Sequence, residues 1–306
     1  MIKSKSFSTP VLFLTFNRFP STKRVFEEIK KSKTPRLYIA SDGPRENIET
    51  ESKDIQEIRD YLIDNINWEC EVHTLFHEKN LGCKYAVSKA IDWFFLNEEL
   101  GIILEDDCLP SQSFFTFCEE LLIRYKDDTR IFLINGYNHQ EVWKPDECDY
   151  FFSLLGGIWG WASWRRAWQH YDVEMKDIDS FIDIDGFRRA LGPELGKIKQ
   201  HMIYEGAINQ KVNSWALQWG YARHKNSGLT CTPSKSLIEN IGFGDSATHT
   251  DEINIRNVKR HEIDRLPIVN PFVITDVGYD SLMFKKECVY SRVKRLISKT
   301  LGIFSS

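Results

Sequence analysis

Glu105, Asp106 and Asp107 follow one another directly after the apolar run Gly101-Ile-Ile-Leu104. Acids at the carboxyl end of a strand in an α/β sheet sit where such sheets bind ligands. Adjacent carboxylates repel, so the group is at ease only beside a cation or a cationic partner. A hard divalent ion, Mn²⁺ or Mg²⁺, bridging a carboxylate and a diphosphate would satisfy it. The plain alternative is a solvated acidic turn closed by Leu109 and Pro110; the strand ahead of the acids favours a site. Asp42 stands in Ser41-Asp-Gly-Pro-Arg45, which is turn chemistry at a strand end, so it is either a turn former or a base or ribose contact. The segment 156–168 holds four Trp among glycines that let the backbone turn sharply. It reads either as a core corner or as a wall that stacks on a sugar ring. Residues 237–250 form a glycine-broken loop that ends near His249, and a lone His is more often structural than a ligand.

These residues need elements to position them. Apolar runs over 10–16, 36–40, 70–76, 101–104, 130–136, 151–155 and 228–233 read as strands. Helical spacing covers the segment opened by Pro20 and Ser21, then 50–65, 84–95, 111–125 and 177–225. Strand–helix alternation at this spacing predicts a parallel sheet covered on both faces.

The 306 residues suffice for one large α/β domain or two small ones. A net charge of −4 makes no general case for a nucleic-acid partner. The seven Cys are odd in number and no pair has C-x-x-C spacing, which argues for reduced thiols and against a zinc site. The N-terminus reads as lacking a signal peptide, and no stretch of about twenty apolar residues is present. A cytoplasmic protein is expected. Residues 285–304 make a basic amphipathic stretch, suited to peripheral contact with the inner face of a plasma membrane or to packing on a partner.

Pro10-Val-Leu-Phe-Leu-Thr-Phe-Asn-Arg18, Ser41-Asp-Gly-Pro-Arg45, Asn80-Leu-Gly82 and Leu104-Glu-Asp-Asp107, in this order and spacing, resemble the GT-A glycosyltransferases. The flavour is that of the N-acetylglucosaminyltransferase that starts complex N-glycans and of bacterial family-2-like relatives. The Trp segment, the 213–219 helix and the 241–250 tail extend the resemblance over about residues 10–250. It implies an α/β GT-A fold: a Rossmann-like nucleotide-sugar half over about 8–140, a fused acceptor half over 141–250, and a C-terminal extension over 251–306.

The resemblance also implies roles. Asn17, Arg18, Asp42, Asn80, Gly82 and Lys84 would bind the donor nucleotide. Glu105 would touch the donor sugar, Asp106 the ribose, and Asp107 a Mn²⁺ or Mg²⁺ ion with His249 as second ligand or hydrogen-bond donor. Trp159, Trp161, Trp164 and Trp215 would meet the acceptor, a glycan or lipid-linked glycan. The expected activity is transfer of a hexose or N-acetylhexosamine, UDP-linked, to a hydroxyl of a bacterial surface glycan.

One departure matters. Where the family writes Trp-Asp-x-x-Trp and draws its base, this chain reads Trp215-Ala-Leu-Gln-Trp219, and Ala216 takes no proton. Three explanations stand open: Ala216 replaces an Asp; another carboxylate such as Asp245, Glu205 or Asp172 is the base; or the chemistry is retaining and needs none. Two rival classes remain. A nucleotidyltransferase would show a glycine-rich loop after the first strand, absent from Phe16-Asn-Arg-Phe-Pro20, and a non-catalytic sugar-binding protein would be consistent with Ala216.

Overall fold

The computed structural model describes residues 7–209, 211–242, 258–263, 270 and 272–285. The first half alternates β1 (Val11–Thr15), α1 (Phe19–Ser32), β2 (Arg36–Ser41), α2 (Glu51–Asp64), β3 (Glu71–Phe76), α3 (Gly82–Asn97) and β4 (Leu100–Glu105). Then come β5 (Cys108–Pro110), α4 (Gln112–Arg124), β6 (Ile131–Asn135), β7 (Tyr150–Ser153), β8 (Trp161–Trp164) and α5 (Arg165–Trp168). The remainder holds α6 (Ile178–Asp183), α7 (Gly186–Leu191), α8 (Pro193–Ile203), α9 (Ala216–Lys225), β9 (Leu229–Pro233) and β10 (Ile238–Asn240). Residues 277–285 are also helical.

Eight strands form one sheet in the order β3-β2-β1-β4-β8-β6-β9-β7. The chain steps outward from β1 to β2 and β3, then returns through α3 to lay β4 on the other side of β1. That reversal makes a switch point between β1 and β4, the crevice where open α/β sheets take ligands.

Alternate residues of each strand feed opposite faces, so the sheet is sandwiched. Val11 and Phe13 of β1, Leu37 and Ile39 of β2, and Ile102 and Leu104 of β4 pack under α1, α2 and α4. Leu12, Leu14, Tyr38 and Ile103 pack under α3 and a Trp cluster from β8, α5 and α9. All seven apolar runs read as strands are strands, within a residue or two.

The sheet is not wholly parallel. β8 runs antiparallel to both β4 and β6, and β7 antiparallel to β9. The Trp-rich segment is therefore neither loop nor corner at its centre but an interior strand, and interior strands are buried on both faces. The single helical stretch expected over 177–225 is broken at Asp185 (φ 59°) and Gly192 (φ 82°), and again before α9. The described cysteines carry no disulfide. Among the described residues no helix is long and apolar enough to cross a membrane.

Gly101 shows how closely α3 sits on β4. A Cβ there would overlap the Phe94 ring and come within 3.0 Å of the Pro10 carbonyl oxygen. Gly101→Ala should therefore lower stability by ~1–3 kcal/mol through overpacking. Urea unfolding measures this, and an unchanged midpoint would mean that the helix can lift from the strand without loss.

Candidate active site

Because β4 must be buried through Leu104, its next three residues are delivered into the crevice at the ends of β1, β2 and β4. The crevice is a cleft of about 430 Å³. Glu105 is paired in register with Leu14 of β1. Asp106 is buried and its Oδ2 accepts the Phe16 N–H at 3.2 Å. Asp107 Oδ2 accepts from Arg18 Nη1 at 2.8 Å, and Cys108 Sγ donates to Oδ1 at 3.4 Å. Glu105 Oε1 is buried with no hydrogen-bond partner among the described residues.

One guanidinium thus faces three carboxylates. Burial, then repulsion from Asp107 and Asp106, pushes the Glu105 carboxyl up to about 8, with Arg18 opposing. Burial and Asp107 likewise raise Asp106. Burial works against the Arg18 charge, but Asp106, Asp107 and Glu105 together outweigh it and raise that group.

A two-stranded ribbon of β5 and β10 closes this end. The Ile241 N–H donates to the Asp107 carbonyl at 2.8 Å. A Cβ on Gly242 would overlap Asp107 Oδ2 and lie 2.9 Å from Arg18 Nη1, so only glycine passes this close to the ion pair.

The polar residues of the surrounding loops are of a different kind, because their bonds are already made. Asp42 accepts from the backbone of Gly43 (2.8 Å), Leu81 (2.9 Å) and Gly82 (3.1 Å), and from Asn80 Nδ2 (3.0 Å). It borders the cleft while holding the loop that opens α3. Asn17 does not border the cleft; its Nδ2 donates to Glu51 at 2.7 Å, and Glu51 also accepts the Arg45 N–H at 2.7 Å. The Lys84 ammonium turns toward Glu174, 3.8 Å away, and its N–H donates to Asn213 Oδ1 at 3.0 Å. Arg59 of α2 ties the ends of β2 and β3 through the carbonyls of Asp42 (3.0 Å) and His77 (2.8 Å).

Of the residues singled out from sequence, Arg18, Asp42, Asn80, Gly82, Glu105, Asp106, Asp107 and Trp159 border this one cleft. Ala216 borders a second cavity of about 310 Å³. Trp159, half-buried, borders both.

The expected aromatic acceptor wall is otherwise core. Trp161, Trp164 and Trp215 are 0%, 2% and 1% exposed. Trp161 stacks on Trp215 at 5.7 Å between centroids, and Trp164 Nε1 donates to the Leu122 carbonyl at 3.0 Å. Their position in an interior strand and at the root of α9 buries them. Of the alternative bases, Glu205 pairs with Lys211, Asp172 accepts the backbone N–H groups of Glu174 and Lys176 at 3.0 Å each, and neither borders either of these two cavities. Asp245 and His249 lie outside the described residues, as does the basic stretch beyond 285.

Sequence reasoning missed His77 and Asn213, which also border the cleft. His77 follows directly on β3, and its Nε2 is buried without a partner among the described residues. Its strand-end position was the available signal. Asn213 reaches α3 across 129 residues of chain, a contact that no local pattern shows.

Among the described residues no three His, Cys, Asp or Glu side chains converge as a metal-ligand set.

No protein-family model matches the chain, and no curated protein matches it significantly. Solved structures match distantly. A mannosyltransferase from Pyrobaculum calidifontis, in complex with GDP-Man and Mn²⁺, is 9% identical, with 72% of this chain and 70% of that one covered and a TM-score of 0.40. A 4-diphosphocytidyl-2C-methyl-D-erythritol synthase from Anaerococcus prevotii is 7% identical, covering 78% of this chain and 95% of that one, at 0.37. A cytidylyltransferase from Leptospira borgpetersenii is 10% identical, covering 68% and 73%, at 0.34. Likenesses this distant carry no argument about activity.

The Glu105 shift has a definite sign. A carboxyl raised from 4.5 to about 8 favours the folded state most below pH 4.5, and that contribution is lost as pH climbs toward 8. Glu105→Gln removes the titration. In metal-free buffer the variant should therefore gain on the parent between pH 5 and pH 8, by on the order of a few kcal/mol. Urea unfolding at the two pH values reads the gain, and an identical difference at both would show that Glu105 ionises freely.

Proposed function

We propose that this chain is a nucleotide-sugar-dependent glycosyltransferase that moves a hexose or N-acetylhexosamine, from a UDP-linked donor, to a hydroxyl of a surface glycan. The observation that carries the reading is the undercompensated acid cluster at the β1–β4 switch point. It opens into a cleft that shares Trp159 with a second cavity. A transferase needs two adjoining sites, one for the group donor and one for its acceptor.

In this reading the donor's diphosphate enters beside Arg18. A guanidinium binds phosphate through paired N–H groups, so Arg18 exchanges its bond to Asp107 for the diphosphate. Glu105, whose Oε1 has no partner among the described residues, accepts from a donor hydroxyl. Asp42 and Arg59 hold the loops around the nucleoside, with His77 at the same edge. A divalent cation would be held by Asp107, with His249 as second ligand, and would supply Lewis-acid neutralisation of the leaving nucleotide. The acceptor occupies the second cavity, where the first residue of α9, Ala216, faces the position for a base.

Two observations weigh on the rivals. Only Phe16, Asn17 and Arg18 separate β1 from α1, which leaves no room for the glycine-rich loop of a nucleotidyltransferase. Ala216 borders the second cavity, which is the observation that favours a non-catalytic sugar-binding protein. A lipid-linked acceptor would give the basic stretch over 285–304 its use at a membrane surface.

A thermal-shift screen of UDP-, GDP-, CMP- and TDP-sugars, with and without Mn²⁺, tests the donor site. A ligand at 100 times its Kd stabilises the native state by about 2.7 kcal/mol, so one nucleotide should raise the melting temperature by several degrees. The shift should require the ion and vanish in Asp107→Ala; no shift with any of the four would defeat the proposal. Ala216→Asp should raise turnover by ~10²–10⁴-fold, the range of general-base catalysis. Nucleotide binding without turnover in either form would establish the non-catalytic reading.

A further inference from the structure

The second cavity contains a charge that nothing in the donor chemistry uses. Arg223, in the last turn of α9, is 4% exposed and borders the cavity. Its Nη1 donates to Thr230 Oγ1 at 2.6 Å, and its Nε is buried without a partner among the described residues. No carboxylate among those residues answers it: burial alone moves the guanidinium, pulling it down to about 10. Burial, with Arg223 and Lys199 adding to it, also holds the adjacent His224 neutral. The cavity wall is therefore electropositive.

Two more orphans border the same space. Trp219 Nε1 and Thr232 Oγ1 are buried without partners among the described residues. Both can donate, so three residues that border one cavity, from α9 and from β9, each carry a buried polar atom that no described residue answers. The backbone is shaped to leave the guanidinium there: a Cβ on Gly156 would fall 2.5 Å from Thr230 Oγ1 and 3.0 Å from Arg223 Nη1. Buried donors without acceptors are destabilising, and a buried unpaired cation more so. Such groups are kept where a ligand completes them.

We infer that this cavity is an acceptor subsite for an acidic sugar, with Arg223, Trp219 and Thr232 recognising a carboxylate or phosphate on the ring being extended. The identification of the bound sugar as acceptor rests on the transferase reading; the anion site does not. At about 310 Å³ the cavity stands at the small end of small-molecule pockets and fits one ring better than a polymer segment. Trp159 forms the wall toward the donor cleft and Ala216 borders the same space, so an acid anchored at Arg223 leaves the ring's hydroxyls to face the transfer position.

The test uses the whole chain without nucleotide, so that it can fail while donor binding stands, and the reverse. D-Glucuronate, D-glucose 6-phosphate, D-glucose and inorganic phosphate are titrated calorimetrically at constant ionic strength. One of the two acidic sugars should bind at least ten-fold more tightly than glucose and than inorganic phosphate, and which of them does so identifies the acid as carboxylate or phosphate. Arg223→Gln should abolish that preference at an unchanged or raised melting temperature, since it removes a buried unpaired charge. Thr232→Val, which keeps the shape of the side chain, should weaken the acidic sugar several-fold and leave glucose unchanged, and it serves should Arg223→Gln not fold. Equal binding of glucose and the acidic sugars, binding of inorganic phosphate as tight as the tighter of the two acidic sugars, or full acid preference in both variants would overturn the inference.

Discussion

The structure turns on an imbalance of charge: three consecutive carboxylates held, among the described residues, against one guanidinium at the end of a buried strand. The cause is covalent. Once Ile102, Ile103 and Leu104 are wholly buried in the middle of the sheet, Glu105, Asp106 and Asp107 have nowhere to go but the crevice. The Phe16 N–H answers part of Asp106, and Arg18 answers Asp107. Glu105 is left with an oxygen that nothing among the described residues satisfies. A fold selected for stability alone would not keep this arrangement, because neutral residues of the same size would remove the repulsion.

The contrast with the neighbouring polar residues sharpens the point. Asp42 and Asn17 look equally functional in the sequence, since each stands at the end of a strand, and Glu51 opens a helix beside them. In the structure their hydrogen-bonding capacity is spent on backbone and on each other. They hold the loops that form the cleft. Glu105, His77 and, in the second cavity, Arg223 are among the side chains whose capacity is left over among the described residues. Satisfaction of polar groups, more than residue type, separates the scaffold from the candidate binding surface.

This difference also explains what the sequence could and could not tell. Strands are legible where an apolar run of four to seven residues ends on turn chemistry, and the seven read that way are present. β8 was not legible, because Trp161-Ala-Ser-Trp164 lies among glycines that mimic a loop, and its place between β4 and β6 is decided by pairing across sixty residues of chain. β5 and β10 are three residues each and exist only as a pair. The Trp residues were ambiguous for the same reason: a ring that stacks on sugar and a ring that fills a core have one composition, and only the sheet position of Trp161 and the stacking of Trp215 on it decide. The acid cluster and Arg18 were legible because strand ends converge at a switch point whatever the loops do.

The buried Trp cluster has a role that follows from its rigidity. Trp161 of β8, Trp168 of α5, Trp215 just ahead of α9 and Trp219 within it pack against one another with centroids 5.1–6.2 Å apart. They fix the first turn of α9 to the centre of the sheet, and Asn213 just ahead of it is hydrogen-bonded to the start of α3. Ala216 and Arg223 sit at opposite ends of that one helix, two turns apart, so both are placed relative to the β4 carboxylates by a rigid body rather than by a loop. The placement of both residues therefore depends on aromatic packing, and precise placement of reacting groups is what such a platform supplies.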